Sequence, residues 1–178
     1  MKIFVSGGCK NGKSHFAQRL AKSQQTASLY YIATMKSVDG EDDHRIAKHR
    51  ADREGWGFST VEQSADIEKI LQKCDWNGSF LLDSLTALLA NEMFLADGSV
   101  NENAAEKITG GLAQLFEAIG RIVIVSDYIY SDAAIYDELT EKYRKSLAQI
   151  DWMAAKNCDI VLEAAYTNVI IHKGSKIW

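Results

Sequence analysis

The sequence predicts an α/β fold: a mainly parallel β-sheet flanked by helices and closed by an antiparallel hairpin near the C-terminus. Three observations carry that expectation. Short apolar runs alternate with segments whose apolar residues recur every three or four positions, the order of a strand-helix repeat. Those runs are apolar at successive positions, as strands covered on both faces by helices require. The last two runs are separated only by Ala165, Tyr166 and Thr167, too little chain for a crossover helix.

Taken in order, the strand-like runs are KIFVS (2–6), SLYYIA (28–33), SFLLD (79–83), RIVIVS (121–126), DIVLEA (159–164) and NVIIHK (168–173), and FSTVE (58–62) fits a further short strand. Helical spacing appears in HFAQRLAKS, DIEKILQKC, SLTALLANEMF, NENAAEKITGGLAQLFEAI and AAIYDELTEKYRKSLAQIDWMAAK. Gly110 and Gly111 weaken the fourth of these, each by roughly 1 kcal/mol relative to alanine. The chain has no proline, so its boundaries rest on glycine, polar clusters and changes of period.

The 178 residues, 47% of them apolar, suit one domain over 1–178 with one substantial core. A net charge of −4 is the opposite of a nucleic-acid or anionic-membrane footprint, so a bound polyanion is expected to be small and locally gripped. No apolar run approaches the roughly 20 residues of a membrane span, and a cytoplasmic location is expected. Cys9, Cys74 and Cys158 form no Cys-x-x-Cys pair and are expected as reduced thiols.

Gly7, four intervening residues, then Gly12, Lys13 and Ser14 match the phosphate-loop pattern G-x-x-x-x-G-K-[ST] between an apolar strand and a helix. Glycines let the backbone turn its N–H groups onto phosphate oxygens. Lys13 brings a cation to the β and γ phosphates, Ser14 a hydroxyl for Mg²⁺, and the following helix its positive dipole end. Cys9, inside the loop, reads as a small filler. Such a loop also needs a metal-ordering carboxylate at the end of a neighbouring strand. Asp83, ending SFLLD, supplies one, although Asp83 or Ser84 equally suits the N-cap of the next helix. Asp127, after RIVIVS, has the same edge position and the same two roles open to it.

DGEDDHRIAKHRADREGWGF is acidic first and basic last, which suits a solvated helix. Arg45, His49 and Arg53 are spaced four apart and so share one helical face. Two guanidinium groups beside an imidazole would lower its pKa and hold phosphate, leaving a neutral ring nitrogen free to attack phosphorus. His15 and His172 have no such company and read as structural or surface residues.

GGCKNGKS, YIAT at 31–34, RIAKHRADR at 45–53 and FSTVE at 58–62 together resemble the bifunctional adenosylcobinamide kinase and adenosylcobinamide-phosphate guanylyltransferase family of cobalamin assembly. The resemblance implies a P-loop NTPase-type sheet, and a catalytic His49 that takes GMP from GTP. It further implies that Gly7, Gly8, Cys9, Lys10, Asn11, Gly12, Lys13 and Ser14 bind nucleotide phosphates, with Lys13 catalytic. Ala33, Thr34, Met35, Arg50, Ala51, Asp52, Arg53, Glu62 and Asp83 would contact guanine nucleotide in one or other bound state, and Ser14 and Asp83 would serve Mg²⁺. GTP, ATP or both, a corrinoid acceptor and a homotrimer are implied with them. The pattern is close through Asp83 and thins beyond it. The family's Asn-Glu-x-Gly reads SDYI at 126–129, and a later Asn-Gln pair appears as Asp151 and Trp152. A kinase without the guanylyl step, and a nucleotide-binding regulatory protein of the same fold, are the alternatives.

Overall fold

A computed structural model describes residues 1–37, 40, 47, 50–51, 53–166 and 168–176. Seven strands form one sheet: β1 (Lys2–Gly7), β2 (Leu29–Ala33), β3 (Ser59–Glu62), β4 (Ser79–Asp83), β5 (Ile122–Val125), β6 (Ile160–Ala165) and β7 (Asn168–Lys173), in the order β3-β2-β4-β5-β1-β6-β7. Every pairing is parallel except β6 with β7, the closing hairpin. Among the described residues the helices α1 (Lys13–Ser23), α2 (Leu85–Met93), α3 (Ala104–Ala118) and α4 (Glu138–Asn157) flank it.

The unbroken apolar strands follow from burial on both faces. Ile3, Val5, Leu81, Val123 and Val125 face Ala17, Leu20 and Ala21 of α1. Phe4, Phe80, Leu82, Ile122 and Ile124 face a larger layer built from α2, α3 and α4. Alternate residues therefore serve opposite cores, and both cores exclude water.

Three expectations differ in detail. DIEKILQKC forms a 3-10 helix over Ile67–Gln72 rather than an α-helix. Its two buried residues, Ile67 and Ile70, are three apart, the spacing that eclipses in a 3-10 turn. The long C-terminal helix starts at Glu138, not near Ala133, because Asp137 caps it by accepting the Thr140 N–H at 3.0 Å. The glycine pair leaves α3 unbroken: a Cβ on Gly111 would stand 2.8 Å from Ile67 Cγ2, so glycine there admits the 3-10 helix. Among the described residues no helix is long and apolar enough to cross a membrane.

The parallel register brings the functional ends together. Ala33 pairs with Glu62 on one side and Asp83 on the other; Asp83 pairs with Val125, Val125 with Val5, and Gly7 with Ala164. The carboxyl ends of β3, β2, β4, β5 and β1 thus form one edge, where open α/β sheets bind ligands.

Candidate functional site

The loop from β1 to α1 begins at Gly7, whose φ of 155° and crowding exclude a side chain: a Cβ would lie 2.4 Å from the Ala164 carbonyl oxygen and 2.5 Å from Asn11 Nδ2. Gly12, at φ 85°, turns the chain into α1 without a side-chain cap, leaving the first-turn N–H groups facing the loop. Asn11 braces the loop, donating from Nδ2 to the Ala164 carbonyl and accepting the Lys13 N–H at 3.1 Å. Gly8, Cys9 and Lys10 are exposed along its crest, and Ser14 is half-buried in the first turn of α1.

Lys13 is buried. Its ammonium pairs with Asp127 and donates to the Gly8 carbonyl at 3.1 Å. Asp127 stands just past β5, with its N–H donated to Thr86 Oγ1 at 2.9 Å, while Tyr128 N–H reaches the Gly7 carbonyl at 3.0 Å. Cys9 Sγ lies 3.8 Å from the same Asp127 carboxylate. Of the two roles open to Asp127 the N-cap is not taken, and its carboxylate pairs with the loop lysine. No helix follows within reach for it to cap, since the next starts at Glu138.

At the end of β4 the capping role falls to Ser84, whose hydroxyl accepts the Ala87 N–H at 3.3 Å. Asp83 accepts instead from the Tyr31 hydroxyl at 2.8 Å. Burial first, then the Asp83 charge, hold the Tyr31 phenol well above its ordinary pKa, so it stays a neutral donor. The Arg53 guanidinium lies 3.5 Å from the centre of the Tyr31 ring, a cation–π contact. Tyr31 escaped the sequence reading because nothing in LYYIA distinguishes a strand tyrosine that packs from one that orients a carboxylate.

Ala33, Met35, Arg50, Arg53, Glu62 and Asp83 converge on one cavity of about 420 Å³, which Tyr31 and Thr60 also line. Arg50 pairs with Glu62 at 2.7 Å across its mouth. Thr34 is fully buried, its hydroxyl donating to the Ser84 carbonyl at 2.8 Å and accepting the Ser84 N–H at 2.7 Å. Ala51 borders a shallower depression alongside, with Glu54 and Gly55. His49 and Asp52 lie outside the described residues, as does Arg45. None of the loop residues 7–14 lines the cavity, so the edge carries two adjoining features. One is the glycine-rich loop with its buried lysine; the other is a pocket with two guanidinium groups and two carboxylates.

A glycine-rich loop ending in Lys-Ser between the first strand and first helix, with Asp127 just past the adjacent β5 and Asp83 at the end of β4 one strand further on, defines a P-loop nucleotide-binding protein. The ATPase domain of G40P has the same fold, with a TM-score of 0.51 and 12% identity over 97% of this chain and 76% of that one. So does the PH0250 protein of Pyrococcus horikoshii, with 0.52 and 12% over 98% and 87%. Residues 3–166 match the family described as cobinamide kinase / cobinamide phosphate guanyltransferase, and the chain belongs to that family. The bifunctional adenosylcobalamin biosynthesis protein CobP of Pseudomonas aeruginosa is 30% identical over 161 residues, 90% of this chain and 91% of that protein. CobU of Escherichia coli is 33% identical over 96 residues, about half of each chain.

Proposed function

We propose that this chain phosphorylates adenosylcobinamide from a nucleoside triphosphate and then transfers GMP from GTP to the phosphate it has made, with His49 as covalent carrier. The observation that most supports this reading is the shared carboxyl edge, where the P-loop cradle adjoins a cavity lined by Arg50, Arg53, Glu62 and Asp83.

In the first step the acceptor hydroxyl oxygen attacks the γ-phosphorus, the nucleoside diphosphate leaves with the bridging electrons, and the hydroxyl proton passes to solvent or a neighbouring base. Such transfer needs positioning and charge neutralisation more than covalent help. Backbone N–H groups of the loop hold the phosphates, and Lys13 exchanges Asp127 for the transferring oxygens. Ser14 and Asp83 offer a hydroxyl and a carboxylate, hard oxygen donors of the kind Mg²⁺ takes alongside substrate phosphate and water. When bound, Mg²⁺ would neutralise charge on those phosphates.

In the second step a neutral His49 nitrogen attacks the α-phosphorus of GTP, forming an N–P bond and releasing pyrophosphate. A phosphate oxygen of the acceptor then attacks that phosphorus and frees the imidazole. Arg50 and Arg53 supply cations for the phosphate being transferred. A cytoplasmic homotrimer completes the proposal.

The test is GTP labelled at the α-phosphate. Wild-type protein should retain acid-labile label and His49→Ala none. Unlabelled wild type that still phosphorylates cobinamide from γ-labelled nucleotide would reduce the chain to a kinase. Nucleotide binding with neither activity would leave the regulatory alternative.

A further inference from the structure

A second cavity, of about 430 Å³, opens between α4 and the sheet face that carries Phe4 and Ser6, opposite the face covered by α1. Its walls are Tyr128, Tyr130 and Trp152, with Ser6, Asp151 and His172 among its polar members. It adjoins the phosphate cradle through the backbone: Ser6 directly precedes Gly7, and Tyr128 donates its N–H to the Gly7 carbonyl.

Two features mark it as built for a ligand. Trp152 and Tyr128 are 66% and 44% exposed, an unusual outlay of aromatic surface over a polar floor. Asp151, only 2% exposed, accepts from the Tyr130 hydroxyl at 3.1 Å through Oδ2, while its Oδ1 makes no hydrogen bond of ordinary geometry and has only the buried Ser126 hydroxyl, likewise without one, close enough to act on it. The Ser6 hydroxyl is likewise buried and unpartnered. A buried acceptor left unpaired costs about 1–3 kcal/mol, and native folds keep such groups chiefly where something else satisfies them.

The lining selects the ligand. Its ionisable members besides the tyrosines are Asp151, Glu163 and His172, with His172 2.7 Å from Glu163; no lysine or arginine lines it. Two ammonium groups lie just outside the lining: Lys156, 5.1 Å from the centre of the Trp152 ring, and Lys173, held on the Ala155 and Lys156 carbonyls at 3.3 and 2.9 Å. An anion would meet carboxyl groups there, whereas a neutral planar group with both donor and acceptor meets complementary partners. A carboxamide satisfies this: its N–H₂ donates to Asp151 Oδ1, its carbonyl accepts from Ser6, and its flat faces lie against the rings.

We propose that this cavity is the acceptor subsite, holding a neutral carboxamide-bearing arm of cobinamide so that its hydroxyl reaches the phosphate cradle from the α4 side of β1. The assignment rests on the kinase function proposed above, and the binding measurement separates the two. Calorimetry with cobinamide on the full chain is expected to show affinity reduced about tenfold by Trp152→Ala and by Asp151→Leu, the loss of one buried polar or stacking contact. Asp151→Asn, which keeps an amide oxygen at that position, should restore binding to within about threefold of wild type. KM for cobinamide should rise with Kd in the first two variants while KM for nucleotide stays within about twofold. An acceptor whose amides are hydrolysed to carboxylates should bind at least about tenfold more weakly than cobinamide. Cobinamide affinity unchanged in both disruptive variants, or absent from wild type, overturns the subsite. Binding that responds to the variants without any phosphoryl transfer supports the subsite and refutes the kinase.

Discussion

Asp151 offers the sharpest energetic test of the structure. It lies on the buried face of α4, and burial pushes its carboxyl up to about 7 from an ordinary 3.8. The Asp127 charge adds to that rise, while the Tyr130 hydroxyl and the nearby Ser126 hydroxyl hold it back. Below the unfolded pKa, Asp151 carries its proton in both states and costs nothing. As pH rises from there the unfolded chain releases the proton while the folded chain keeps it, so stability falls until the folded group also ionises. The shift corresponds to about 4 kcal/mol in full, at 1.36 kcal/mol per pH unit, of which roughly 2.5 kcal/mol is lost between pH 5 and 8. Asp151→Asn keeps the shape and a polar partner for the Tyr130 hydroxyl, which can accept from the amide N–H₂, but does not titrate. Urea unfolding of both proteins across that range should therefore show the variant gaining roughly 2.5 kcal/mol on wild type at the alkaline end. Thermal midpoints should separate by about 5–10 °C more at pH 8 than at pH 5. Parallel stability curves for the two proteins would refute the burial of an ionisable carboxyl at this position.

Lys13→Ala leaves the Asp127 carboxylate without its ionic partner and should cost stability, and in folded protein it should lower the rate of phosphoryl transfer about 100- to 1,000-fold in assays with γ-labelled nucleotide. Gly7→Ala forces a Cβ into the Ala164 carbonyl; nucleotide affinity measured by calorimetry should fall at least about tenfold as the loop is displaced. Leu88→Ala, at a fully buried position facing the larger core, should cost about 2–5 kcal/mol in urea unfolding with the slope unchanged.

The sheet was legible because its strands are buried on both faces and so announce themselves as unbroken apolar runs: LYYIA, SFLLD and IVIV all lie where their composition put them. The phosphate loop was legible for a different reason, since backbone geometry there admits few residue types and Gly7 leaves no room for a side chain. Local sequence was weaker wherever a distant neighbour decides. The Gly110-Gly111 pair lowers helix propensity, yet α3 continues through it because the 3-10 helix packs where a side chain would stand. Ser84 and Asp83 are equivalent candidates for an N-cap by composition, and what separates them is Tyr31, fifty-two residues from Asp83, which claims the carboxylate. The Lys13–Asp127 pair spans still more chain. Its only sequence trace is an aspartate at the end of an apolar run, a feature that Asp83 shares.

The acidic balance of the chain and the phosphate binding proposed for its loop meet at that pair. Lys13 is buried, and Asp127 provides its ionic partner from just past β5, the strand next to β1. A phosphate entering the cradle must therefore compete with a carboxylate already in contact with the cation, so net affinity is the difference between two strong ionic contacts rather than the strength of one. The same displacement would leave Asp127 less compensated, and its charge acts directly on Asp151. Phosphate capture at the loop, if it draws Lys13 away, would thereby be linked to the protonation of Asp151 through the Asp127 carboxylate. A nucleotide that draws Lys13 away strengthens the tendency of Asp151 to hold its proton and to meet a neutral, rather than a charged, partner.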